Sequence, residues 1–356
     1  MRKRHLRSLI GMAILGSCAA SASAAIIYSD NFNVNSSANW NVNVAPTANS
    51  STQSAEFAYD YSVFGIPPAP GSIDTLGLRL RANIPGGAAA PVTSRPAGVT
   101  SGLSVSPIGQ NFGTKYQATF YAWSNFNGAP NASGLADNAN SEGGTNNVMF
   151  ALGTSGTAPL VVGNTVLVTN GVMDGVGFAT TGDGGIISDY RVYPASGTIA
   201  PASSGDYAAG SSANTAAYYM SLFGTHSAPA IQQALSTAEY SGDASNTQAG
   251  STQSGAFGFA WHKVVLTRDG NTATWDIDDT RIATVDISGL TLGGNDIALG
   301  VSDVNPSTTR HPSLLFTVID NLVVTDSGIV PEPASAALLA AGMAGIVLAR
   351  RRRRAI

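Results

Sequence analysis

Few side chains in this 356-residue sequence are of the kind that do chemistry. Glycoside hydrolysis needs two carboxyl groups held across one bond. Ahead of the C-terminal tail the glutamates are Glu56, Glu142 and Glu239, and none stands near another carboxylate in an alternating strand pattern. His226, His262 and His311 are isolated, with no metal-ligand spacing. A Gly-x-Ser-x-Gly elbow and a phosphate loop are both missing from the sequence. The lone cysteine, Cys18, lies near the N-terminus, so the remainder has no disulfide, Cys-based zinc site or thiol nucleophile. These features point away from an enzyme.

Two patterns suit binding. Tyr121 and Trp123 share a strand face opposite Tyr116, Ala118, Phe120 and Ala122, and flat exposed rings match the C–H faces of sugars. They form either a sugar platform or a surface covered by inserted loops. Asp276, Asp278 and Asp279 crowd a turn, and Asp30 and Asp320 meet if the first and last strands pair. Clustered carboxylates are candidate calcium ligands or simply solvated turn residues, and their spacing matches no EF-hand loop.

The elements that must carry these residues read as strands. Gly, Ala, Ser, Thr and Asn dominate, and the long-helix formers are scarce. Short β-branched and aromatic runs between Gly, Asn, Asp and Pro fit an all-β protein. Strands are expected at residues 26–32, 77–81, 115–123, 147–152, 186–193 and 314–325. Segments 127–147 and 195–217 have little apolar surface and read as loops or disorder. One short helix is expected after Ser227, with Pro229 in its first turn and Ile231, Leu235 and Ala238 along one face. A hairpin is expected over 261–278, with Asp269-Gly270 as a two-residue turn. That turn sets Leu266 opposite Ala273, Val264 opposite Trp275, Val265 opposite Thr274 and Lys263 opposite Asp276. A longer loop centred on Gly270-Asn271 would shift the register and is expected to put Trp275 on the polar side, so the apolar matching favours Asp269-Gly270.

The two ends read as addresses. Arg2, Lys3, Arg4 and Arg7 precede an apolar run from Leu9 to Ala20, then Ala22-Ser23-Ala24, the pattern of a cleaved signal peptide over residues 1–24. Cys18 follows Leu15-Gly16-Ser17, a loose lipoprotein box, so it is either lost with the signal or lipidated. Near the other end, Pro331-Glu332-Pro333 precedes an apolar stretch, 336–349, and then Arg350, Arg351, Arg352, Arg353 and Arg354. The run is short for a span, and the arginines extend it by reaching the headgroups. Arginines on the cytoplasmic side leave everything before Pro331 outside. Without the four cations of the first end and the five of the second, nine Lys and Arg face 22 Asp and Glu, a balance of −13. Such a charge disfavours nucleic acid and anionic lipid as partners.

The order of motif, apolar helix and basic cluster in residues 330–356 resembles the PEP-CTERM sorting signal of Gram-negative bacteria. The resemblance implies recognition by an exosortase, a membrane-embedded cysteine protease, with the chain anchored in the inner membrane before processing and at the cell surface or outside afterwards. The runs Trp261-His262-Lys263-Val264, Arg268-Asp269-Gly270 and Trp275-Asp276-Ile277-Asp278-Asp279 resemble the laminin-G and concanavalin-A-like pattern, with Asp279 where a Gly is usual. That resemblance implies a two-sheet antiparallel jelly-roll sandwich. It also implies frequent carbohydrate binding. Together with the loops, short helix and end signals read above, the expectation is such a sandwich over residues 25–329 with inserted loops and one short helix, and a hydrophobic helix at each terminus. The resulting expectation is an exported, non-catalytic envelope or exopolysaccharide-matrix protein whose partners are a processing protease and extracellular polysaccharide. The competing expectations are a secreted polysaccharide-active enzyme and a purely structural surface protein.

Overall fold

Alternation in the sequence becomes alternation of burial. In Lys115–Asn125, the residues Tyr116, Ala118, Phe120 and Ala122 are fully buried, while Gln117, Thr119 and Tyr121 between them keep partial exposure. The structure, a computed structural model, describes residues 24–44, 53–82, 101–126, 146–160, 173–184, 188–194, 198–232, 251–303 and 314–327. The expected signal peptide, the sorting motif at Pro331, Glu332 and Pro333, the five arginines and both terminal helices lie outside these residues. Among the described residues no helix is long and apolar enough to cross a membrane.

The strands are β1 (Ile26–Asp30), β2 (Trp40–Val44), β3 (Ser54–Asp60), β4 (Leu76–Arg81), β5 (Ser101–Pro107), β6 (Lys115–Asn125) and β7 (Asn146–Thr154). They continue as β8 (Val176–Thr181), β9 (Tyr190–Pro194), β10 (Trp261–Asp269), β11 (Thr272–Ile277), β12 (Thr280–Asp286), β13 (Asp296–Asp303) and β14 (Phe316–Asp326). A six-residue helix, α1 (Ala217–Leu222), follows β9. The larger sheet runs β12-β11-β10-β6-β14-β4-β3, with β1 also paired to β14. The smaller runs β2-β5-β13-β7-β8-β9. Every pairing between these strands is antiparallel. The fold is thus an all-β, two-sheet sandwich of jelly-roll type, and Ile26–Gly328 groups as one compact unit. The inner faces bury one continuous core, in which Phe120 of β6 meets Phe150 of β7 at 5.0 Å between ring centroids.

Strand β14 holds the larger sheet together. Along one edge it pairs with β6 over nearly its whole length. Along the other it pairs first with β4, through Thr317–Ile319, and then with β1, through Leu322–Thr325. The change of partner falls at a bulge between Asp320 and Val323, where Asn321 takes a left-handed φ of 55°.

The hairpin of β10 and β11 corrects the expected register. Its turn is Gly270-Asn271, with Asp269 opposite Thr272 and Leu266 opposite Trp275. Gly270 has φ 59° and Asn271 does not enter the left-handed region, the pattern of a type II′ turn with Gly in first place. The register moves by two residues along β11. A two-residue slip preserves the face of every side chain, so Trp275 is still fully buried.

One further expectation changes. The helix expected after Ser227 begins at Ala230, but Ile231 is 44 % exposed and Gln232 is the buried residue; Leu235 and Ala238 lie outside the described residues. Segment 198–217 is a loop, the first of the two readings its composition allowed, and Tyr207 gives it an anchor. The Tyr207 hydroxyl accepts from the Val192 N–H of β9 and donates to the Ala200 carbonyl, and its backbone bridges to Ala283 of β12. One residue therefore ties an edge of the smaller sheet, through its side chain, to an edge of the larger, through its backbone.

Candidate functional site

The residues expected to form a sugar platform lie on the outer face of the larger sheet. Across the β6–β10 pair, Trp123 stands opposite Trp261 and Tyr121 opposite Lys263. Trp123 is only 4 % exposed. Its ring lies 5.8 Å from that of Trp261, which in turn lies 5.3 Å from Tyr61. The segment after β3 folds back across this end of the sheet, and the Trp261 indole N–H donates to the Pro67 carbonyl at 2.8 Å. Trp123 is therefore part of a second apolar cluster, not a platform. Tyr121 is separate from it. It stays half-exposed on the uncovered part of the face, beside Lys263, Thr119 and Val265.

The acidic turn is a type I′ hairpin between β11 and β12. Ile277 pairs with Thr280, and Asp278 and Asp279 take φ 49° and 63°. Its carboxylates diverge instead of converging on an ion. Asp276 points outward from the sheet and pairs with the Arg281 Nε at 2.7 Å. Asp279 pairs with Lys263. Asp278 stays exposed on one side but reaches back to β10, accepting from the Lys263 N–H at 2.9 Å and facing the buried His262 Nδ1 at 2.7 Å. Burial pulls the Asp278 carboxyl upward, yet His262 and the backbone N–H outweigh it and hold its pKa below the usual carboxylate range. Asp276, Asp278 and Asp279 thus do not form the expected calcium site. Among the described residues no group of three or more His, Cys, Asp or Glu is placed to hold a metal.

Asp30 and Asp320 do lie on paired strands, but they serve different loops. Asp30 stands opposite Leu322, and its carboxylate accepts from Ser36 at 2.6 Å and from the Trp40 indole at 2.9 Å. Asp320 is fully buried and accepts from the Tyr61 and Ser72 hydroxyls, each at 3.0 Å. Burial raises its pKa to about 6. Two further acids escaped the sequence reading. Burial raises Asp296 to about 7, and burial with the nearby Asp189 raises Asp183 to about 7. Glu56 is structural. It bridges Arg79 and Arg81 on neighbouring β4, and although burial alone would raise its pKa, the Arg79 hydrogen bond and both cations leave it lowered. Glu142, Glu239 and His311 lie outside the described residues.

Sequence spacing also hid a pair of rings. His226 and His262 are 36 positions apart, yet their centroids are 6.0 Å apart at 70° between planes. Only the fold could show this, because the loop after α1 returns over the end of β10.

The family of the PEP-CTERM protein-sorting motif matches residues 330–354, taking in the Pro-Glu-Pro run and all five arginines. The chain carries a PEP-CTERM sorting signal. The PEP-CTERM match marks an exported protein handled by exosortase-type sorting, and it leaves the sandwich undefined. No curated protein matches the chain by sequence. Among solved structures, the chain is similar to a protein of unknown function with a galectin-like fold from Bacillus subtilis, at 9 % identity and TM-score 0.36, covering 86 % of this chain and 97 % of that one. It is also similar to the potassium-bound Emp46p carbohydrate recognition domain, at 10 % identity and TM-score 0.37, covering 85 % and 98 %. A third is the Ca2+/Man-bound VIP36 exoplasmic/lumenal domain, at 10 % identity and TM-score 0.34, covering 82 % and 84 %. Likeness at this level is no guide to a ligand.

Proposed function

We propose that this chain is an exported, non-catalytic sandwich that an exosortase-type protease processes at the inner membrane and delivers to the cell envelope or exopolysaccharide matrix. The observation that carries this reading is the placement of the sorting signal. Only residues 327–330 separate the end of β14 from Pro331, so the signal is joined directly to the last strand of the sandwich. Deleting residues 336–356 tests it. The truncated protein should appear in the medium or stay unprocessed in the periplasm. Identical fractionation and an identical mature C-terminus for both forms would refute the sorting role.

Within this reading the uncovered face around Tyr121 is a carbohydrate contact. Tyr121 offers a half-exposed ring, and Lys263 and Thr119 beside it offer hydrogen-bonding groups. A glycan screen, run with and without calcium, should find a ligand whose binding is lost in Tyr121→Ala. Binding that survives that change would put the contact elsewhere. Absence of any glycan ligand would favour a purely structural surface protein.

A further inference from the structure

His262 belongs to the inward-facing side of β10. Its register partner, Ala122, is fully buried, and His262 itself is 4 % exposed. Phe257 and Phe223 enclose its ring at centroid distances of 4.5 and 5.2 Å. A carboxylate only accepts hydrogen bonds, so Asp278 fixes the proton of the neutral ring on Nδ1. Nε2 is then a bare lone pair, enclosed and without a hydrogen-bond partner.

The neighbouring ring repeats the pattern. Nδ1 of His226 is also enclosed and without a partner. The backbone of His226 is fixed on both sides by Thr252, whose hydroxyl accepts from the His226 N–H at 2.9 Å and whose N–H donates to the His226 carbonyl at 2.8 Å. A direct N–H···N bond between imidazoles would bring their centroids to about 5 Å. Two imidazoles on one ion, each about 2.0–2.1 Å from it, set their centroids about 5 to 6.5 Å apart. The observed 6.0 Å is too wide for the first arrangement and fits the second.

We infer that His226 and His262 are ligands of one divalent transition-metal cation, with Asp278 as the carboxylate that orients His262. Imidazole nitrogens select Zn2+, Co2+, Ni2+ or Cu2+ over calcium, which takes oxygen. The Asp278–His262 arrangement is the usual outer-shell support of a metal-binding imidazole. His226 is half-exposed, so water completes the coordination from its side. This inference does not depend on the carbohydrate reading.

The test uses the full chain, purified in detergent and stripped with a chelator. Calorimetric titration with Zn2+ or Co2+ at pH 7.5 should give one site, with visible absorption bands for Co2+ and a rise in Tm for Zn2+. His226→Ala should weaken binding at least 100-fold, and Asp278→Asn about 10- to 100-fold. His311→Ala should bind as the parent does. In the unsubstituted protein, Zn2+ should move the ring-proton NMR signals of two histidines, a readout that needs no variant to fold. No heat and no Tm shift in the parent, or unchanged binding in His226→Ala, would overturn the inference in favour of a bridging water.

Discussion

The Tyr61 hydroxyl donates to Oδ2 of Asp320 at 3.0 Å, joining residues 259 positions apart. The same hydroxyl accepts from the Ala69 N–H, and Ser72 donates to the same carboxylate oxygen. The segment that covers Trp123 is thus fastened to the sheet at one buried acid. Tyr61→Phe should loosen this cover by about 1–2 kcal/mol, and Asp320→Ala should cost more, because it strands the buried Tyr61 hydroxyl at about 1–3 kcal/mol and also removes the acceptor of the part-buried Ser72 hydroxyl. Urea unfolding with Trp fluorescence measures both. Equal, negligible effects would mean that apolar packing alone holds the cover.

Asp320 also shapes the response to pH, together with Asp183 and Asp296. All three have folded pKa values raised above the ordinary 3.8, to about 6, 7 and 7. Between pH 4 and 7 the fold therefore holds more protons than the unfolded chain. Their contribution is fully present below the unfolded pKa and is lost as pH rises through the folded values. Glu56 and Asp278 are lowered, so their contribution is present above their ordinary values and is lost as pH falls. His226 is lowered too and works against the fold below its ordinary pKa. The three raised acids outweigh it, and Tm should fall between pH 5 and pH 8. Asp296→Asn should flatten that slope. A Tm that climbs across the interval would refute the assignment.

Trp275 is fully buried between Phe178 and Tyr190, at centroid distances of 5.5 and 6.0 Å. Trp275→Ala should cost about 3–5 kcal/mol in a thermal melt. Gly270→Ala tests the turn. A Cβ there would meet nothing within 4 Å, so its cost is that of a left-handed backbone alone, about 1–2 kcal/mol. Asp269→Ala should cost less than either, since its pair with Lys115 is exposed.

Asp279 occupies a left-handed position without the freedom of glycine. Asp279→Gly should raise stability by about 0.5–1 kcal/mol, less whatever its surface pair with Lys263 contributes. Asp278→Gly, one position earlier, should lower stability, because it removes the partner of both the Lys263 N–H and His262. Comparing the two melts separates backbone relief from a lost inward contact.

Trp123→Ala should destabilise by about 3–5 kcal/mol, and Tyr121→Ala by well under that. The first side chain is interior to a cluster and the second lies half-open on the sheet. Iodide quenching of Trp fluorescence should reach Trp261, which is partly exposed, more readily than Trp123.

Much of the sandwich is legible wherever one strand face is apolar. Tyr116 to Ala122, Leu78 to Leu80 and the run from Val264 to Trp275 all announce their inward sides, and all are buried. Register is less legible. Asp269-Gly270 and Gly270-Asn271 are both good two-residue turns, and a two-residue slip leaves the apolar matching intact. Strand β5, Ser-Gly-Leu-Ser-Val-Ser-Pro, carries only two large apolar residues and is not among the strands expected from the sequence. At the site level, alternation gave the direction of Trp123 but not what covers it. Nothing near position 123 foretells that the chain around Tyr61 returns there. The His226–His262 approach is likewise set by tertiary contact, to which local spacing is blind.

The central place of β14 has a consequence for the timing of folding. An exported chain emerges N-terminus first, so β14 is the last of these strands to leave the cytoplasm. Until it arrives, β6 with β10 to β12 has no bond to β4 and β3, and β1 has no partner at all. Such pairing between distant parts of the chain is slow, since loop closure precedes any reward. The larger sheet therefore remains two half-sheets until β14 has been delivered. Its closure then takes place within a few residues of the sorting motif, so that the domain is finished only as that motif itself arrives.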